Sequence, residues 1–337
     1  MSVKVDTFFG VILLVTIVWT VAQWFSLTSH FYIERSASGQ HLLDLCIASC
    51  CICGVIIILY YWTKPYLESL ADSAIDGQLP YRVREAKIQR SSTMAFRMFY
   101  FIFASLYASV ILFYYNIDWL PPELLGNGKT GSYWVQYTMI PVSRGLVWYY
   151  YLSGGYFLFS LFCLLNEEPL QGIWENILLI VIACLLLAFS FTGDFIRVGV
   201  IVLFLHNVCD ILTCGCKVFV DTKWQAITLG LFGILLAAWA YLRIYCFSRI
   251  VLYPVYGQIS LALSTRLCAY STFLLMTLLL VNIYWFILML KMGWWYIYSG
   301  QAKDIHSRII PNDSLLSLNN TSGSESCIVT TSKTKSE

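Results

Sequence analysis

The sequence predicts an all-α, polytopic membrane protein with about eight transmembrane helices. Hydrophobic residues make up 59% of the 337 and charged residues only 12%, a balance that suits a lipid environment better than a water-exposed surface. Apolar runs of about 20 residues, enough to cross a hydrocarbon core of roughly 30 Å, recur along the chain. Aromatic residues, 17% of the total, cluster near the ends of several runs, where Trp and Tyr meet the membrane interface. The net charge of +2 comes with no basic stripe, so membrane lipids are the expected surroundings and nucleic acid is not an expected partner.

Eight spans follow in order: Phe8–Leu27, Leu42–Trp62, Met98–Tyr115, Leu146–Leu165, Trp174–Phe191, Phe195–Val220, Ala226–Phe247 and Leu267–Leu290. The first reads as a retained anchor, because no small-x-small cleavage site follows it. The chain divides into two N-terminal helices (1–63), a basic cytoplasmic loop (64–97), a bundle of six helices (98–300) and a tail (301–337). Lys64, Arg82, Arg84, Lys87, Arg90 and Arg97 place the loop in the cytoplasm, since positive residues stay inside. An even number of spans then puts both termini there. The tail is rich in Ser, Asn and Thr and is expected to be disordered. Ser153-Gly154-Gly155 is expected to let a neighbouring helix approach closely. Trp148 and Tyr149–Tyr151 read as an interface belt. The twelve cysteines fall mostly inside apolar runs, where they act as small hydrophobes. Neither a disulfide framework nor a metal site is indicated.

The stretch Glu175–Phe219 concentrates polar groups at membrane depth. Its first arm is aliphatic and ends at Thr192-Gly193-Asp194, where glycine permits a tight reversal. The second arm carries Arg197, His206, Asn207 and Asp210. Such groups are costly in a bilayer and mark a bundle interior or a cavity. His206 lies about 17 Å along the helix from Phe195, near the midplane. In a hairpin folded at Gly193, Ile180 faces His206 and Asn176 faces Asp210 at equal depth.

Ser190-Phe191, Arg197-Val198-Gly199 and Leu205-His206-Asn207-Val208-Cys209-Asp210 resemble the signature of the ceramide synthases, TLC-domain proteins. Phe96-Arg97, Ser248-Arg249 with Tyr253-Pro254, and Asn282-Ile283-Tyr284-Trp285 resemble further family blocks in the correct order. The resemblance implies a six-helix TLC bundle around a long acyl-chain cavity. It implies a multi-pass protein of the endoplasmic reticulum that joins fatty acyl-CoA to the amine of a sphingoid base. Acyl-CoA is then a co-substrate and no cofactor is required. A homo- or hetero-dimer with other TLC proteins is also implied. Three departures stand against this. The family's paired catalytic histidines fall on Leu179 and Ile180, an Asp becomes Asn207, and a His becomes Asn282. A non-enzymatic relative, either a lipid-binding or regulatory partner or a translocation-associated protein, is the competing reading.

Amide formation from a thioester needs a base for the amine, which imidazole supplies. His206 and Asp210 are therefore the expected catalytic pair, with Asp210, one turn away, holding the ring. Asn207, Arg197 and Asp194 are expected in support. The alternatives are a structural hydrogen-bond pair for the first two and an Arg197–Asp194 ion pair at the helix start. Cys184 is a weaker substitute nucleophile, since an apolar wall disfavours the thiolate. For topology, a reporter fused after Lys335 and a tag inserted within Asp72–Gly77 are expected on the same, cytoplasmic face. Opposite sides in a protease-protection assay contradict the eight-span order.

Overall fold

A computed structural model describes residues 36–75, 77, 79–115, 117–129, 143–166, 173–192, 195–222, 224–254 and 265–299. The expected first span, Phe8–Leu27, and the tail lie outside the described residues. The elements are α1 (Ser36–Ala74), α2 (Tyr81–Ser109), α3 (Arg144–Asn166), α4 (Ile173–Thr192), α5 (Ile196–Phe219), α6 (Gln225–Ala238) and α7 (Thr265–Ser299). α2 continues as a π-helical turn over Val110–Tyr115, and α6 as a π-helix over Trp239–Leu252. Among the described residues, six helical segments are long and apolar enough to cross a membrane, and α4 supplies a shorter apolar stretch, Asn176–Thr192. The sequence expectation of a helical membrane protein therefore holds, with six of the expected spans on segments long and apolar enough to cross and Trp174–Phe191 on the shorter α4.

Packing is most extensive between α2 and α5 and between α1 and α3. The second contact depends on missing side chains. A Cβ on Gly154 would collide with Ser49, and one on Gly155 would lie 2.6 Å from the Ile52 side chain. The helices close at the pair of glycines, as Ser153-Gly154-Gly155 foretold. Where α2 meets α3, Tyr100 stacks on Tyr156 with ring centroids 3.9 Å apart. Outward faces keep large apolar residues exposed, among them Ile58, Trp62, Leu106, Ile234, Leu280 and Trp294, as a hydrocarbon-facing surface requires.

Two expectations are corrected. The segment 64–97 is not a loop: α1 runs through Pro65 to Ala74, and α2 starts at Tyr81. Proline removes one hydrogen bond from the ladder, but Leu67, Ala71 and Ile75 are buried at four-residue spacing and hold the extension in place. Its charges are satisfied laterally. Arg84 pairs with Asp72 at 2.6 Å, while Lys87 and Arg90 approach Asp221 beyond the end of α5 at 3.4 and 3.8 Å. Secondly, the Trp148–Tyr151 belt divides. Trp148 is exposed, but Tyr149 and Tyr150 are fully buried and make hydrogen bonds inside the bundle.

Filling the α1–α3 contact tests the packing. Gly155→Val is expected to lower stability in detergent by about 1–3 kcal/mol, the usual cost of overpacking. Gly54→Ala, at a position with open space around it, is expected to be neutral or to stabilise by up to about 1 kcal/mol. Thermal unfolding of the two variants side by side checks both signs.

Candidate functional site

α5 packs in the middle of the bundle, against α2, α3, α4, α6 and the following π-helix. Its polar residues from His206 to Lys217 lie along a cavity of about 400 Å³. His206, Asn207 and Asp210 line this cavity, and so do Leu179, Ile180 and Asn176 from α4. α4 and α5 thus both contribute to the lining of one cavity. Leu179 and Ile180, where the sequence resemblance implies paired histidines, form an aliphatic wall on the cavity that His206 also lines. Ala183, not Cys184, completes that wall, which removes Cys184 as a nucleophile facing the cavity.

The imidazole of His206 is held at both nitrogens. Nδ1 lies 2.8 Å from the Val202 carbonyl, one turn back on α5. A carbonyl only accepts, so Nδ1 carries the proton and Nε2 is left as an acceptor. The side-chain amide of Asn282, on α7, donates to Nε2 at 3.2 Å. Asn282 is itself almost fully buried, and its backbone carbonyl accepts from Trp239 Nε1 at 3.0 Å. The ring packs edge-on against Phe247, with centroids 5.8 Å apart.

Asp210 does not hold this ring, contrary to expectation. Its carboxylate is 2.5 Å from Arg243 Nη2, and the same nitrogen donates to the backbone carbonyl of His206 at 3.0 Å. Residues four apart share a helix face, but both are drawn away by stronger local partners. The Val202 carbonyl occupies Nδ1, and a cation from the next helix claims the carboxylate. Arg243 is only 7% exposed and lies 4.0 Å over the Trp239 ring, a cation–π contact that helps to offset its burial.

Asn207 donates from Nδ2 to the Tyr149 hydroxyl at 2.7 Å, joining α5 to α3. Near the hairpin, the Tyr150 hydroxyl meets Ser190 Oγ at 2.9 Å and donates to the Ile196 carbonyl at 3.2 Å. It therefore ties α3, α4 and α5 together. The hydroxyl occupies the space where a side chain at position 199 would stand, which is the physical reason for the glycine of Arg197-Val198-Gly199. Arg197 lies 5.2 Å from the Trp119 ring centroid. Its expected partner Asp194 is outside the described residues. Arg249 of the Ser248-Arg249 block approaches Glu123 at 3.7 Å and lies over Tyr253.

Sequence reasoning missed Arg243, Trp239 and Tyr149. The signal for Arg243 was present: it is the one ionisable residue inside the apolar run Ala226–Phe247 apart from tyrosines and a cysteine, and such residues mark sites. No periodicity announces that Trp239 would lie beneath it.

With this geometry in place, comparison with known proteins decides the family. Residues 90–291, more than half of the chain, match the family model described as the TLC domain. The chain belongs to the TLC-domain family. Within it, the resemblance is to ceramide synthases. Ceramide synthase 4 of Homo sapiens is 30% identical over 184 residues, covering 54% of this chain and 46% of that protein. Ceramide synthase hyl-1 of Caenorhabditis elegans is 27% identical over 227 residues, 63% of this chain and 58% of that protein. The sphingosine N-acyltransferase lag1 of Schizosaccharomyces pombe is 30% identical over 116 residues, 34% of this chain and 29% of that protein. The chain spans about half the length of the curated relatives it matches first.

The ion pair permits a double-mutant test. Asp210→Asn and Arg243→Gln are each expected to destabilise this TLC-domain protein by roughly 1–3 kcal/mol, because each leaves a mostly buried hydrogen-bonding partner unsatisfied. The double variant is expected to lose less than the sum, since the two effects share one partner. Additive losses in denaturation midpoints contradict the pairing.

Proposed function

We propose that this chain is a ceramide synthase-like protein of sphingolipid metabolism in the endoplasmic reticulum membrane. Its TLC cavity binds the long aliphatic chain of a sphingolipid or acyl donor without transferring it. The observation that carries this reading is the combination of an aliphatic wall at Leu179 and Ile180 with a His206 whose two nitrogens are engaged by Val202 and Asn282. A general base needs a lone pair within reach of the substrate proton, and here an amide occupies it. An apolar cavity of this size, with a few polar groups at fixed positions, suits an aliphatic ligand.

A second reading is favoured by one observation. His206 still lines the cavity, with Asn207 and Asp210 beside it. If Asn282 releases Nε2 when substrate enters, the imidazole can accept the amine proton and the protein is a sphingoid base N-acyltransferase using acyl-CoA. Purified protein in lipid nanodiscs, supplied with acyl-CoA and sphinganine, separates the two. The binding reading expects saturable binding of a fluorescent ceramide, loss of that binding when Ala183→Phe fills the cavity, and no ceramide formed. Ceramide formation abolished by His206→Ala overturns it in favour of the transferase. Leu179→His with Ile180→His is expected to confer N-acylation only if the rest of the family machinery is intact.

A further inference from the structure

The Arg243–Asp210 pair has hydrogen-bonding capacity that neither reading uses. A guanidinium carries five N–H donors. Both hydrogen bonds that Arg243 makes, to Asp210 and to the His206 carbonyl, leave from Nη2. Its Nε is buried with no hydrogen-bond partner among the described residues, and Nη1 makes no hydrogen bond among them. The Cys209 thiol stands beside the guanidinium, but sulfur is a weak acceptor. On the other side of the pair, Arg243 takes only Oδ1 of Asp210, and Oδ2 accepts no hydrogen bond among the described residues. Arg243 is more than nine-tenths buried, the Asp210 side chain is 29% exposed, and both line the cavity. Their polar neighbours are committed elsewhere, His206 at both nitrogens and Asn207 to Tyr149.

A buried donor left unmade is costly, and protein interiors rarely leave one. The guanidinium therefore calls for an acceptor, and the carboxylate oxygen beside it for a donor. The two charges neutralise each other, so a charged head gains little. An ammonium meets Arg243 and also Lys217, which acts on Asp210 from further along α5, while a carboxylate meets Asp210 itself. We propose that the pair binds the head group of a neutral acyl lipid, a carbonyl accepting from Arg243 and a neighbouring hydroxyl donating to Oδ2 of Asp210. An N-acyl amino alcohol has both groups, and so has a monoacylglycerol. A free amino alcohol lacks the carbonyl, and an ionised fatty acid or an acyl thioester lacks the hydroxyl beside it. The chain has room. From Asp210 to Phe195, which also lines the cavity, α5 rises about 22 Å, more than the roughly 15 Å of one leaflet's hydrocarbon. The proposal rests on the reading that the cavity holds an aliphatic chain, and adds the head group.

The test uses the full-length protein in phosphatidylcholine nanodiscs and measures saturable binding of radiolabelled lipids against empty nanodiscs. Palmitoyl ceramide or 1-palmitoylglycerol is expected to bind at least about tenfold more tightly than sphinganine, palmitate or palmitoyl-CoA, the usual worth of one hydrogen bond to a charged group. Tight binding of the first alone assigns the head to an amide and of the second alone to an ester, and either supports the proposal. The tighter ligand is then edited. Methylating its hydroxyls is expected to cost about tenfold in the native protein and less than about threefold in Asp210→Asn, because the two changes remove one contact. Replacing its acyl link by an alkyl ether is expected to cost about tenfold in the native protein and less than about threefold in Arg243→Lys, for the same reason. Each comparison is made within one protein, so a loss of stability common to both ligands cancels. Should a variant fail to fold, the ligand edits in the native protein decide alone. Equal affinity for neutral and charged heads overturns the proposal, as does a tighter fit of palmitate, sphinganine or palmitoyl-CoA. Edits that cost nothing in the native protein, or cost as much in the variants, overturn it too. Absence of saturable binding by any of these lipids, or binding that ignores Ala183→Phe, removes the cavity reading itself, a result distinct from the others.

Discussion

The arrangement at the centre of this protein depends on one guanidinium. Arg243 takes the Asp210 carboxylate and the backbone carbonyl of His206 with a single nitrogen while lying on the Trp239 ring. Trp239 in turn donates to the backbone of Asn282, whose side chain donates to His206. Five side chains from three helical segments thus form one connected set. In a medium that offers no water, each member must be satisfied by the others. Once Arg243 is present, Asp210 has a stronger partner than an imidazole, and His206 is left to its own helix and to α7. The geometry separates two residues that the sequence places one turn apart.

That separation underlies the proposed function. The chain shares the TLC domain with its relatives, and within it Gly199 leaves room for the Tyr150 hydroxyl, Ser190 meets that hydroxyl, and Asn207 is tied to Tyr149. What changes is the chemistry along the cavity. Leucine and isoleucine stand where the resemblance places histidines, and an amide donates to the one imidazole that remains. This occupied proton acceptor is what supports the proposed lipid-holding role over acyl transfer.

Much of the fold was legible in the sequence because apolar length is a direct physical signal. Seven of the expected spans coincide with described helices, and the close approach at Gly154 and Gly155 followed from the absence of side chains alone. The helical extension over 64–97 was misread because Lys64, Pro65 and the basic residues that follow outweighed the spaced stripe of Leu67, Ala71 and Ile75. At the site, the polar run on α5 marked a cavity, and His206, Leu179 and Ile180 all line it. The partners were not readable. Spacing tells which residues share a helix face, but not that a cation 33 residues further on will claim the carboxylate first. Tyr149 and Tyr150 were taken for interfacial residues for a similar reason. Composition fixes that an aromatic prefers a boundary, while only the packing of α3 against α5 shows that these two are inside it.

The central claim is that His206 is fixed by Val202 and Asn282 rather than by Asp210. The chain has four histidines, so nitrogen-15 histidine spectra of the protein in lipid are tractable, and His206→Gln assigns the signal. The account predicts a neutral ring with the proton on Nδ1 and a hydrogen-bonded, unprotonated Nε2. Asp210→Asn should leave that signal in place, and Asn282→Ala should shift Nε2 alone. A ring protonated at Nε2, or a signal that moves with Asp210→Asn and ignores Asn282→Ala, contradicts it.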